Sequence, residues 1–188
     1  VFISNHDSVF NVHITNISAS LTGDTIFPTR LTDAPASDNI NYFCYPSFSP
    51  DGSKILYTSA KSGHEEIWVM NANGSVKTQL THMNASIARR PRYSPTADRI
   101  SFYSNAVVSG SDSLQVFIMN PNGDSLQQIT TTQNNFDPAW SPDGSQIIFA
   151  KQTAPGQSYI YSIDRTKLNE HQLINDGRAY YPIWRTKP

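Results

Sequence analysis

Tyr45-Pro46-Ser47-Phe48-Ser49-Pro50-Asp51-Gly52-Ser53-Lys54-Ile55-Leu56-Tyr57 is the stretch on which the fold turns, because it recurs. A second copy reads Arg90-Pro91-Arg92-Tyr93-Ser94-Pro95-Thr96-Ala97-Asp98-Arg99-Ile100-Ser101-Phe102, and a third Asp137-Pro138-Ala139-Trp140-Ser141-Pro142-Asp143-Gly144-Ser145-Gln146-Ile147-Ile148-Phe149. A fourth begins at Tyr181-Pro182-Ile183-Trp184-Arg185. The leading prolines fall at 46, 91, 138 and 182, spaced by 45, 47 and 44 residues. A period near 45 built from short strands is the sequence signature of propeller blades.

Each unit divides into four pieces. The Pro-x-aromatic strand leads into a Ser-Pro-Asp-Gly turn, where Pro presets φ and Gly is free to adopt a left-handed conformation. Second strands follow at Ile55–Ser59, Ile100–Ser104 and Ile147–Lys151, and third strands at Glu66–Met70, Gln115–Met119 and Tyr159–Ile163. Asn-x-Asn-Gly turns at 71–74 and 120–123 then lead to fourth strands ending in Gln79-Leu80-Thr81, Gln128-Ile129-Thr130 and Gln172-Leu173-Ile174. Strands bounded by such turn clusters form antiparallel meanders. No segment sustains a 3.6-residue apolar period, so helix is not expected.

The phase of the repeat matters as much as its period. Val1–Asn5 matches a second strand, Val9–Thr15 a third and Pro28–Thr32 a fourth, while Tyr181–Arg185 supplies a lone first strand. The expectation is therefore all-β: a four-bladed β-propeller of four-stranded antiparallel blades, closed by N-terminal strands pairing with the C-terminal strand. The blades are expected at 181–188 plus 1–42, 43–88, 89–135 and 136–180, in one domain covering 1–188. Such closure would remove exposed sheet edges.

Composition agrees and excludes. The chain has 188 residues and a net charge of -1, with 14 basic and 15 acidic side chains. Without a basic excess, a nucleic-acid partner is not expected. No apolar run approaches the length of a membrane span. One cysteine, Cys44, excludes an intrachain disulfide framework and reads as a small core residue. Sequon matches at Asn16, Asn73 and Asn84 are no more than chance supplies in a chain so rich in Asn and Ser.

The combined motif resembles the repeats of TolB-type propellers, the WD40-like, Pro-Asp-type family that also occurs beside prolyl-oligopeptidase-like peptidases. The motifs that carry the resemblance are Ser-Pro-Asp-Gly after Pro-x-aromatic, the Ile67-Trp68-Val69-Met70-Asn71 strand and the Gln-Leu-Thr ending, and they run from Val1 to Trp184. Two departures stand out. TolB itself has six blades and an N-terminal α/β domain, and the second copy here carries Ser94-Pro95-Thr96-Ala97-Asp98 in place of Ser-Pro-Asp-Gly. The resemblance implies a binding scaffold that is periplasmic, cell-surface or secreted.

Propellers bind at the mouth of the central channel, so the residues just before each repeated Pro are the candidate ligand site. These are Tyr45, Arg90, Asp137 and Tyr181, with Arg89 and Tyr180 one step earlier. They differ between copies although Pro and the aromatic do not, so the fold does not dictate them. Arg offers bidentate bonds and Tyr a flat amphipathic surface to a polar ligand or peptide. The competing reading is that Arg90 and Asp137 simply pair while the tyrosines line the channel. Asp51 and Asp143 read as turn residues, and Phe48, Tyr93, Trp140 and Trp184 as packing between blades.

No catalytic motif is found. Of the histidines His6, His13, His64, His82 and His171, none has metal-ligand spacing, and His64-Glu65-Glu66 reads as a solvated hairpin. No metal or cofactor is expected. The reading is a non-enzymatic binding module, a monomer engaging a protein or peptide partner. The alternatives are a carbohydrate-binding propeller and a divergent propeller lyase or hydrolase.

Overall fold

A computed structural model describes residues 1–5, 10–15, 28–33, 38, 40–41, 43–83, 86–106, 113–167 and 169–184. None of these residues is helical. Fifteen strands form four antiparallel sheets in chain order. The first holds β1 (Phe2–Ser4), β2 (Asn11–Ile14) and β3 (Thr29–Arg30); the second holds β4 (Ser47–Phe48), β5 (Lys54–Ser59), β6 (Glu66–Asn71) and β7 (Thr78–Gln79). The third comprises β8 (Ala88–Tyr93), β9 (Ile100–Ser104), β10 (Gln115–Met119) and β11 (Gln127–Gln128). The fourth comprises β12 (Asn134–Trp140), β13 (Gln146–Ala154), β14 (Gln157–Asp164) and β15 (His171–Ile174). This is the four-bladed propeller architecture that the period predicts.

Cores lie between successive sheets. Ile55, Tyr57, Trp68 and Met70 of the second sheet pack with Val12 and Leu31 of the first. Leu56, Ile67 and Leu80 pack with Ile100, Phe102, Phe117 and Met119 of the third. Val116, Ile118 and Ile129 then meet Trp140, Ile147, Phe149 and Ile163 of the fourth. Alternate residues of one strand thus face opposite neighbours, as a sheet buried on both faces requires.

Two sequence details lock this arrangement. The Thr that ends each fourth-strand motif is a clamp. Thr32, Thr81 and Thr130 accept the backbone N–H of Val12, Ile67 and Val116 at 2.8, 2.9 and 2.9 Å. Each hydroxyl donates in turn to the side chain that opens the third strand: Asn11 at 3.0 Å, Glu66 at 2.5 Å and Gln115 at 2.7 Å. Buried polar groups are thereby satisfied in pairs. The fourth sheet has Ile174 at the matching place, and its outer strand is bulged and exposed.

The Ser-Pro-Asp-Gly turn is closed by its own side chains. Ser49 and Ser53 both donate to Asp51, and Ser141 and Ser145 to Asp143, which holds both carboxyl groups down at about 2. In the deviant copy the roles are exchanged: Thr96 takes the Asp position and donates at 2.6 Å to Asp98, which takes the Ser position. Gly52 and Gly144 both have φ +71°, whereas Ala97 is forced to +57°. A non-glycine residue there costs roughly 1–2 kcal/mol, so Ala97→Gly is expected to stabilise the fold by about 1 kcal/mol, read as a rise in the urea midpoint. A fall in that midpoint would show that the alanine methyl packs usefully.

The strand aromatics divide. Trp140 is buried and its Nε1–H donates to the carbonyl of Arg92 in the preceding sheet at 3.3 Å, and Tyr93 packs on the second core. Phe48 and Trp184 are instead exposed.

The closing ladder expected between Val1–Asn5 and Tyr181–Arg185 is not among the described pairings. β1 pairs with β2, and 181–184 form no strand; Arg185 lies outside the described residues, as do His6 and the sequon residues Asn16 and Asn84. The chain before Tyr181 is bonded to the fourth sheet instead. Ser158 N–H donates to Gly177 O and Ala179 N–H to Ser158 O, both at 3.0 Å. Ala88 to Glu65 and Asn135 to Leu114 make the same stitch in earlier repeats, at 2.6 and 2.7 Å. The segment therefore enters as a first strand does, but Ile183 beyond it remains 83% exposed.

Candidate functional site

All four residues preceding the repeated prolines have positive φ: Tyr45 +41°, Arg90 +55°, Asp137 +56° and Tyr181 +54°. A residue before Pro is ordinarily confined to the extended region, so each is strained by roughly 1–3 kcal/mol. In the third and fourth sheets this strain coincides with a bulge, between Arg89 and Arg92 and between Phe136 and Ala139, which re-aims one side chain in each. All four arrive at one place.

Arg90 is the centre of that convergence. Its Nε lies 2.8 Å from Asp137 Oδ1. Its guanidinium carbon sits 3.7 Å from the ring centroid of Tyr45 and 4.4 Å from that of Tyr181. The cation is thus paired at its edge and stacked against two aromatic rings, an arrangement worth more when desolvated. Asp137 is 5% exposed. Burial pushes its carboxyl up to about 6, against the opposing pull of Arg90 and Arg92. Tyr103 on β9 is raised chiefly by burial and then by facing Asp137.

Six candidates came from the sequence, and the structure gathers four of them into this cluster. Tyr180 lies beside it, 6.4 Å from Tyr181 and 6.3 Å from Phe136 between ring centroids. Arg89 points elsewhere: it pairs with Glu65 and lies 3.8 Å over the Phe43 ring. The solvated-hairpin reading of His64-Glu65-Glu66 is corrected by the same contacts. Glu65 holds Arg89 and Asn41, and Glu66 is buried in the Thr81 clamp, also accepting Met83 N–H at 2.6 Å. Among the described residues no three His, Cys, Asp or Glu side chains stand close enough to hold a metal ion.

Arg92 was not singled out by sequence reasoning. It lies two residues beyond Arg90, past the bulge, and lines a cleft of about 60 Å³ with Arg90, Asp137, Pro138, Tyr181 and Ile183. Burial, then the nearby Arg90, lowers its pKa. The only sequence signal was its place inside the repeat, where the other copies carry Ser47, Ala139 and Ile183. Cys44 is fully buried in the first core, and burial pushes its thiol up to about 12. A thiol so far above neutrality is not a nucleophile.

The comparisons with known proteins agree with this architecture. The peptidase YuxL of Bacillus subtilis (strain 168), itself uncharacterized, is 26% identical over 143 residues, 72% of this chain and 21% of that one. The Tol-Pal system protein TolB 1 of Novosphingobium aromaticivorans is 35% identical over 72 residues, 38% of this chain and 16% of its own length. The crystal structure of TolB from Acinetobacter baumannii superposes with a TM-score of 0.71 at 19% identity, over 92% of this chain and 39% of that one. This chain therefore spans well under half of each of these relatives. The TolB beta propeller domain, as a family, matches residues 1–187. With the period, the four meander sheets and a match over nearly its whole length, the chain belongs to the TolB β-propeller domain family.

Proposed function

We propose that the chain is a non-enzymatic binding module that engages a protein or peptide through the channel-mouth cluster, in a periplasmic, cell-surface or secreted setting. One observation supports this above others. Four strained backbone positions, one from each repeat, deliver two tyrosines, an arginine and an aspartate to a single point. Strain of this kind persists where the surrounding structure over-determines it, and it gathers at ligand sites. The residues that differ between repeats are the ones so delivered, whereas the prolines behind them do not differ.

Exposure at the mouth suits contact with a partner. Tyr181 is 63% exposed, and Tyr180 and Ile183 are exposed beside it. Tyr is the residue whose flat, amphipathic surface anchors protein interfaces. Two of the relatives bear the TolB name, one of them as a Tol-Pal system protein, and the peptidase YuxL carries far more chain than is present here.

The test uses Tyr180→Ala and Tyr181→Ala, singly and together, because both side chains are exposed and their removal leaves the cores intact. Immobilised wild type is expected to retain from a bacterial envelope extract a defined protein that the double variant releases at least tenfold more readily. Equal retention by wild type and double variant would count against the mouth as the binding face.

A further inference from the structure

We infer that Arg92, in the cleft beside the Arg90–Asp137 pair, is a receptor for a single carboxylate group. This rests on the binding-module reading and specifies its ligand chemistry. The positive groups in the cleft outnumber the negative ones. Arg90 and Arg92 face one carboxylate, Asp137, and that carboxylate is already taken up at 2.8 Å by the Nε of Arg90. Arg90 is further enclosed by the rings of Tyr45 and Tyr181. Arg92 has no hydrogen bond or ion pair through its guanidinium among the described residues, although it is half-buried. A half-buried guanidinium carries five donors in a planar fork. Those donors stand without a bonded acceptor in a partly enclosed cleft, and an incoming carboxylate can accept from two of them in a charge-assisted pair.

The cleft, about 60 Å³, has room for a carboxylate head. The walls narrow the choice further: Pro138, Ile183 and the edge of Tyr181 are apolar and would flank the carbon to which the carboxylate is attached. Acidic side chains or the C-terminus of a peptide, and free small carboxylic acids, share this chemistry.

The test is an amide NMR titration of the full chain with acetyl-Gly-Asp-Gly-amide, with acetyl-Gly-Asn-Gly-amide and with succinate. Saturable shifts at residues lining the cleft are expected for the aspartyl peptide, for succinate or for both, and not for the asparaginyl peptide. Arg92→Gln is expected to weaken that binding about tenfold or more, the equivalent of one charge-assisted bond, while Arg92→Lys keeps part of it. Because the Arg92 guanidinium has no bonded partner, its removal should leave the thermal midpoint within a few degrees; if Arg92→Gln is unstable, Arg92→Lys against wild type decides. Shifts from the peptide alone assign a protein ligand, and shifts from succinate alone assign a small acid; both support the carboxylate receptor. Equal binding of the asparaginyl peptide, no binding of either acid, or undiminished binding by Arg92→Gln overturns it. That failure is separable from failure of the binding module, which is read by Tyr180 and Tyr181 in the extract experiment and requires no carboxylate.

Discussion

Arg90→Met is expected to lower stability by about 3–5 kcal/mol at pH 7.5, because it leaves Asp137 buried without its bonded cation. The same change should cost less than half as much at pH 5. The sign follows from Asp137 itself. Its native pKa is raised to about 6 from the ordinary carboxyl value of 3.8. A carboxyl raised on folding adds stability that is complete below the unfolded pKa and is lost as pH rises through the native one. In wild type, Asp137 should therefore reduce stability progressively between about pH 4 and 6. Without Arg90 the native pKa climbs further, so the penalty grows at neutral pH and is avoided at acid pH by protonation. Urea unfolding of both proteins at pH 5 and 7.5 reads this directly. A pH-independent loss would show that the damage comes from the emptied stack between Tyr45 and Tyr181, not from a stranded charge. Asp137→Asn combined with Arg90→Met should recover most of the loss at pH 7.5.

Gly123→Ala is expected to cost about 3 kcal/mol, and Gly52→Ala only about 1. Both glycines have positive φ, +91° and +71°, so both substitutions incur the left-handed penalty. They differ in what the new methyl meets. A Cβ at Gly123 would stand 2.5 Å from the carbonyl oxygen of Leu80 in the neighbouring sheet, whereas at Gly52 nothing lies within 4 Å. Backbone cannot swing aside as a side chain can, so the sheets must separate, an overpacking cost of 1–3 kcal/mol on top of the strain. At about 2–4 °C per kcal/mol for a chain of this size, the thermal midpoint should fall by about 6–12 °C for Gly123→Ala. Equal effects of the two substitutions would mean that the inter-sheet approach at Leu80 contributes nothing.

Both results bear on how the sheets are held together. The Asn-x-Asn-Gly turns do more than reverse the chain: Gly74 packs against Leu31 of the first sheet as Gly123 does against Leu80 of the second. At these turns the blades approach closely, leaving no room for a Cβ at Gly123, while apolar side chains fill the space behind them. The middle copy tolerates loss of its glycine at Ala97 because that turn is held by Ser94 and Thr96 donating to Asp98, which also takes Arg165 of the fourth sheet at 2.7 Å.

Strand positions were legible in the residues because they rest on local, repeated signals. Third strands expected at Glu66–Met70 and Gln115–Met119 are observed at Glu66–Asn71 and Gln115–Met119. Alternation, turn residues and a 45-residue period act within a few residues of chain, and a repeat states them several times. The Thr clamp was visible only as a recurring Leu-Thr ending; its partners lie 14 to 21 residues away in sequence and meet it only across a ladder. Glu66 read as solvated because a Glu beside a His and another Glu carries no local sign of burial, although its place matches Asn11 and Gln115 in the other repeats.

The candidate site divides in the same way. Position was readable, since Tyr45, Arg90, Asp137 and Tyr181 stand at one phase of the repeat and one phase means one place around an axis. What they do to one another was not readable. Arg89 and Arg90 are adjacent and alike, yet one is aimed at Glu65 and Phe43 and the other at Asp137 and two tyrosines, because a positive φ at Arg90 turns the chain between them. Near-zero net charge told nothing of a cleft with two cations and one anion, since a total is blind to arrangement.

The opening stretch, Tyr45 to Tyr57, and its recurrence determined the fold class, the number of sheets and the phase at which each side chain enters, since these depend on local conformational preference and on counting. Tertiary structure alone decided which cation is buried against which carboxylate, which guanidinium is left without a partner and how 181–184 meet the sheets, because each depends on the distance between residues far apart in the chain. Those distances are set by the packing of whole sheets, to which no single repeat has access.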